Sequence, residues 1–119
     1  MLIRSLTRTE TKIQRFQLDA GLAQIPTYDS FYSFYRGPNN KPKGIYGTCI
    51  FTKRATTVPV KVEEGLSSCL IPSTVASGDR IGGYPLSSDA DLSHETMKSL
   101  DSEGRTTVAD FGMFVIINL

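Results

Sequence analysis

The final apolar run, Phe114-Val115-Ile116-Ile117-Asn118-Leu119, constrains this chain more than any other stretch. It follows a polar turn, Leu100-Asp101-Ser102-Glu103-Gly104-Arg105, and a first strand-like run over residues 105–110. A short, β-branched run of this kind reads as a strand that is apolar on both faces. Such a strand needs a covering layer on each side. Only one long helix-like segment is present to supply it. The expectation is therefore a fold that continues past residue 119 and before residue 1, with these residues forming a part of it.

The rest of the pattern predicts an α+β sheet domain. A helical period starts at Thr9, with Ile13, Phe16 and Ala20 or Leu18 on one face and Gly21 as C-cap. Residues 1–8 read as an irregular start. The aromatic run at residues 28–35 and the run at residues 46–53 predict an antiparallel hairpin with a polar tip. Val58, Val60 and Val62 alternate with Pro59, Lys61 and Glu63, which predicts a half-buried strand at an edge. Residues 66–93 are rich in Ser, Gly, Pro and Asp and read as a surface insertion. Ser93 is placed to cap a short helix through Leu100. Two closing strands then meet at a turn near Gly112.

Composition excludes little. The net charge of +1 argues against a global basic field, although Lys41, Lys43, Lys53 and Arg54 cluster around the predicted hairpin. Cys49 and Cys69 are too few for a disulfide scaffold, and with a single His they argue against a structural zinc site. Cys49 sits in an apolar strand and reads as a small buried hydrophobe. No apolar run approaches ~18 residues, so no membrane-spanning helix is expected.

Few residues carry chemistry on their own. Glu10, at a polar transition before a helix, can ligate Mg²⁺ or serve as a solvated first-turn acid. Lys12 can meet a phosphate or stay exposed. Glu63 and Glu64 are adjacent on a strand, so they point to opposite faces and read as a solvated strand end. Arg105, among Asp101 and Glu103, reads first as a structural ion pair. His94 reads as a surface helix residue with no nucleophile motif near it in sequence. No Gly-x-Ser-x-Gly elbow and no phosphate-binding Gly loop is present.

Six stretches together resemble the exonuclease III-type apurinic/apyrimidinic endonucleases, in their second eukaryotic type and particularly its fungal members. Glu10-Thr11-Lys12 is similar to the family's Gln-Glu-x-Lys segment. Tyr28-Asp29-Ser30-Phe31-Tyr32-Ser33-Phe34-Tyr35-Arg36 is similar to its aromatic strand, and Lys43-Gly44-Ile45-Tyr46-Gly47 to its Gly-Tyr-Ser-Gly hairpin strand. Glu63-Glu64-Gly65-Leu66-Ser67 is similar to the segment before its insertion. Leu100-Asp101-Ser102-Glu103-Gly104-Arg105 is similar to its Leu-Asp-Ser-Glu-Gly-Arg turn, and residues 111–119 to the strand that follows. The resemblance spans residues 9–119.

The resemblance implies a partial DNase I-like exonuclease–endonuclease–phosphatase domain, an α/β two-sheet sandwich. It implies metal-dependent DNA repair, in the base excision pathway: backbone cleavage 5′ to abasic sites, with 3′-exonuclease and 3′-phosphodiesterase activity. Mg²⁺ or Mn²⁺ is the implied cofactor and Glu10 the implied metal carboxylate. Lys12, Gly44, Ile45, Tyr46 and Arg105 are the implied DNA contacts. The implied partner is double-stranded DNA carrying abasic sites or blocked 3′ ends, in the nucleus, with mitochondria as a second address. The family's Asp-x-Asn pair, later aspartate and catalytic His are not among these residues. The expectation is a chain inactive by itself, with a non-enzymatic binding module as the alternative.

Overall fold

The computed structural model describes residues 5–8 (as backbone), 11, 13, 15–37, 47–81 and 92–119. Two three-stranded antiparallel sheets, with two short helices, form an α+β architecture. The first sheet has the order β1-β3-β2, from Ser5–Arg8 (β1), Tyr28–Phe34 (β2) and Gly47–Lys53 (β3). The second has the order β4-β5-β6, from Lys61–Glu64 (β4), Thr107–Asp110 (β5) and Val115–Asn118 (β6).

The hairpin expected from the aromatic run is present. β2 and β3 pair antiparallel in continuous register, from Tyr28 opposite Lys53 to Phe34 opposite Gly47. The tip of that hairpin lies outside the described residues. β1 pairs the other edge of β3, with Ser5 opposite Thr52 and Arg8 opposite Cys49. Residues 5–8, read from the sequence as irregular, are thus a strand: β3 is apolar enough to be the centre of a sheet and recruits a partner on each edge.

Side-chain alternation divides β3 between two layers. Thr48 faces the second sheet, where its hydroxyl is 2.8 Å from that of Thr107 on β5. Ile50 and Thr52 share that inner face and are fully buried. On the outer face Tyr32 stacks on Phe34 at 5.5 Å and meets Phe51 edge-on at 5.9 Å. Cys49 is buried at 1% exposure, as its apolar context predicts. Burying a side chain such as Ile50 contributes about 1.5–3 kcal/mol.

The helix expected over residues 9–21 does not form. A 3-10 turn at Arg15–Gln17 is followed by a separate four-residue helix, Ala20–Ala23 (α1). Asp19 supplies the break: its carboxylate accepts from the Leu22 amide at 2.9 Å and starts the helix afresh. Gly21 lies inside α1 rather than capping it. Phe16 is 70% exposed, so the expected apolar face is not buried at this position. α1 instead docks through its last carbonyls, where Ser30 Oγ donates to Ala23 O at 2.6 Å and Tyr32 OH to Leu22 O at 3.1 Å.

The valine strand also differs from expectation. β4 begins at Lys61, and Val58 and Val60 are exposed. Pro59 cannot donate to a ladder, so pairing starts only at the Val60 amide, which donates to Asp110 O at 2.7 Å. β4 is an edge strand, as Pro59 implied. Val58 and Val60 line an open cleft of about 490 Å³ along β2.

Residues 66–81 are irregular apart from a 3-10 turn at Ser77–Asp79. Ser93 caps the second helix, His94–Asp101 (α2), by accepting from the Thr96 amide at 3.2 Å. β5 and β6 then form a hairpin whose turn uses Gly112 at φ +83°. The inner face of β6 is covered, with Asn118 buried. Its outer face leaves Val115 and Ile117 about half exposed.

Candidate nucleic-acid interface

The 100–105 turn is built by two carboxylates of opposite character. Asp101, the last residue of α2, is buried at 8% exposure. A negative charge at a helix C-terminus is unfavourable against the helix dipole. Three donors offset that cost: Leu66 N at 2.9 Å, Ser67 N at 3.1 Å and Ser67 Oγ at 2.5 Å. Gly65, at φ +83°, lets its backbone pass so close that a Cβ there would sit 2.2 Å from Asp101 Cγ. Glu103 instead faces solvent and pairs with Arg105 Nε at 2.7 Å.

Gly104 joins this turn to the first sheet. Its φ is +72°, and a Cβ at this position would lie 2.3 Å from Phe34 C and Tyr35 N. Arg36 N donates to Ser102 O at 2.7 Å beside it. The turn therefore packs backbone to backbone on the end of β2. At the neighbouring end of β3, Thr11 N donates to Gly47 O at 2.8 Å. Gly47, Thr48, Leu100, Asp101, Glu103 and Arg105 are among the residues lining one cavity of about 590 Å³. One end of the two sheets thus gathers the residue between Glu10 and Lys12, the residue after Tyr46, and the 100–105 turn.

Arg105 is exposed and ion-paired with Glu103, as its charged surroundings suggested. Glu10, Lys12, Gly44, Ile45 and Tyr46 lie outside the described residues. Among the described residues, no three His, Cys, Asp or Glu side chains converge as a metal site would require. Also among them, no helix is long and apolar enough to cross a membrane.

Two sequence readings need correction. Glu63 is not a solvated strand end: it is 6% exposed and accepts from Ser68 Oγ and from Ile81 N, each at 2.6 Å. Its neighbour Glu64 does point the other way, to Arg36 at 2.6 Å. His94 lies on the surface, as expected, but it does have a nucleophile beside it. Cys69 Sγ is 3.6 Å from His94 Nδ1, a contact that a separation of 25 positions in the chain hides from any local motif.

The chain is homologous to DNA-repair enzymes that act at apurinic or apyrimidinic sites. The relatives are all named DNA-(apurinic or apyrimidinic site) endonuclease 2. The protein of Schizosaccharomyces pombe is 30% identical over 117 residues, covering 92% of this chain and 21% of that protein. That of Bos taurus is 40% identical over 96 residues, covering 81% of this chain and 16% of that protein. The Homo sapiens protein is 36% identical over the same length and coverage. The chain thus spans about a fifth or less of the length of these curated relatives. No family model matches it, and no solved structure matches it.

Proposed function

We propose that this chain is part of a metal-dependent DNA-repair phosphodiesterase that cleaves the backbone 5′ to abasic sites, with 3′-exonuclease and 3′-phosphodiesterase activity. The observation that carries this reading is the homology to endonuclease 2 proteins over 81–92% of the chain. The fold that goes with it is one portion of a DNase I-like two-sheet sandwich, and two antiparallel sheets packed face to face agree with that.

The gathering of Thr11, Gly47 and the 100–105 turn at one end supports an assignment of roles. Glu10 and Lys12 are each one residue, about 3.8 Å in Cα separation, from Thr11. Glu10 contributes a metal carboxylate and Lys12 neutralises phosphate. Gly44, Ile45 and Tyr46, which precede Gly47, approach the DNA backbone. Arg105 exchanges Glu103 for a phosphate, a bidentate partner suited to its planar guanidinium. Bound Mg²⁺ or Mn²⁺ would polarise the scissile phosphate. The grip on DNA is through phosphate and shape rather than base edges. The setting is the nucleus.

The chain by itself binds abasic duplex without cutting it, because one proposed carboxylate does not make a phosphodiesterase centre. The test uses a labelled duplex with one abasic site and Mg²⁺. The expected result is salt-sensitive binding, weakened by Arg105→Ala, with the strand left intact. Metal-dependent cutting abolished by Glu10→Gln would show that the chain is itself the enzyme. Binding indifferent to salt and to Arg105→Ala would remove the DNA-facing assignment.

A further inference from the structure

A second cavity, of about 580 Å³, lies where the 68–73 loop meets α2. Cys69 and His94 line it together, with the thiol sulfur 3.6 Å from Nδ1. Three cationic residues, Arg36, Arg80 and Lys98, line the same cavity, and no carboxylate does. Arg36 is engaged by Glu64. Arg80 is held in place by backbone carbonyls alone: its Nη2 donates to Pro72 O at 3.1 Å and to Val75 O at 3.2 Å, and its Nη1 to Ser68 O at 3.5 Å. Carbonyls fix the guanidinium without neutralising it. Among the described residues, neither Arg80 nor Lys98 forms an ion pair. The other cysteine, Cys49, is closed off at 1% exposure, so chemistry at a thiol of this chain falls to Cys69.

A thiol with a base in contact and cations around the opening is the environment in which cysteine attacks disulfides. We propose that Cys69 is a modification site for an anionic low-molecular-weight disulfide of the glutathione type, with Arg80 and Lys98 holding its carboxylates and His94 taking the thiol proton. The balance closes without any further reagent. The Cys69 sulfur attacks one sulfur of the disulfide, and the S–S bond of the small molecule breaks. A mixed disulfide forms on Cys69. The proton passes from the thiol to His94 and on to the departing thiolate, which leaves as a thiol. The protein sulfur is oxidised and the departing sulfur reduced.

The test compares three probes on the full chain under native conditions: oxidised glutathione (anionic), hydroxyethyl disulfide (neutral) and cystamine (cationic). Adducts are timed by intact mass and located by peptide mapping. The expected result is a single adduct on Cys69, with oxidised glutathione faster than cystamine, and loss of that preference in the denatured chain. Lys98→Gln lowers the glutathione rate about two- to fivefold, the size of one surface charge contact, and leaves the neutral probe unchanged. His94→Gln slows all three probes. Both side chains are exposed, so both variants keep the fold. Equal glutathione rates at Cys69 in the native and denatured chains, or cystamine reacting faster than glutathione in the native one, would overturn the proposal.

Discussion

Replacing Asp101 tests whether the 100–105 turn is held by a buried carboxylate. Asp101 receives two backbone amides and one hydroxyl from residues 66 and 67, and it is 8% exposed. Hydrogen bonds to a charged acceptor are worth about 1.5–3 kcal/mol each. A simple sum overstates the loss, because the donors are only part-buried and water can reach them once the carboxylate is gone. Removing a negative charge from the C-terminus of α2 also recovers about 0.3–1 kcal/mol. Asp101→Ala is therefore expected to cost about 3–5 kcal/mol, a large share of the ~5–15 kcal/mol that stabilises a domain. Asp101→Asn keeps the shape and one acceptor oxygen. Its amide nitrogen must then face one of the donors from Leu66 or Ser67, and about 1–2 kcal/mol is lost.

Urea unfolding of the three chains measures these differences, since the midpoint moves by the energy change divided by an m-value of about 1–3 kcal/mol/M. Amide exchange at Leu66 and Ser67 locates the effect, and both should lose protection before the β2–β3 hairpin does. If Asp101→Ala lies within about 0.5 kcal/mol of the parent, the carboxylate is not what holds the turn, and the reasoning fails.

Other positions give independent checks. Gly104→Ala combines a positive φ with a Cβ 2.3 Å from the Phe34–Tyr35 backbone, so thermal unfolding should show a loss of about 3 kcal/mol or more. Burial raises the Tyr32 hydroxyl above its usual value of 10.0, and nearby Cys49 raises it further. Above about pH 10 the unfolded chain therefore ionises this group first and the folded chain loses relative stability; urea melts at about pH 9 and about pH 11 should show the parent falling against Tyr32→Phe. Thr48→Val and Thr107→Val, alone and combined, form a cycle across the sheets. The coupling expected for their 2.8 Å hydroxyl pair is about 0.5–1.5 kcal/mol, and additivity in unfolding energies would deny it.

The sequence was most legible where structure is local. Strands β2 and β3, the Ser93 cap and the Gly112 turn each follow from residues within a few positions of one another. It failed where a local pattern was not matched by burial. The period of Ile13, Phe16 and Ala20 is helical, but Phe16 is 70% exposed and Asp19 caps a new helix at Ala20 instead. It also failed where partners come from far along the chain. Glu63 read as a solvated strand end because Ile81 is 18 residues away, and the donors that hold Asp101, Leu66 and Ser67, are likewise 35 and 34 residues away. The Cys69–His94 contact is hidden in the same way. For the proposed DNA-facing residues, resemblance contributed more than periodicity did. Only Arg105 among them falls within the described residues, and there the charge pattern already implied an ion pair with a nearby carboxylate, which the structure shows to be Glu103.

The layer between the sheets explains why one end can carry a site. Ser33, Thr48, Thr52, Thr107 and Asn118 are all buried there, at 4% exposure or less. An apolar interface would bind the sheets with greater driving force, but it would also tolerate sliding. Among the described residues the Ser33 and Thr52 hydroxyls find no hydrogen-bond partner, but Thr48, Thr107 and Asn118 do, and displacing a buried polar group from its partner costs about 1–3 kcal/mol. The Thr48–Thr107 pair and the bond from Asn118 Nδ2 to Cys49 O, at 3.0 Å, therefore fix β3 against β5 and β6 in one register. Thr48 is also a wall of the turn cavity, and Thr106 beside Thr107 is another. The groups that set the register are thus the same groups that position Gly47 against the turn bearing Arg105. A substitution that loosens the interface would misplace both halves of the proposed DNA-facing end together, so stability and DNA binding should fall in parallel along a series of inner-face variants.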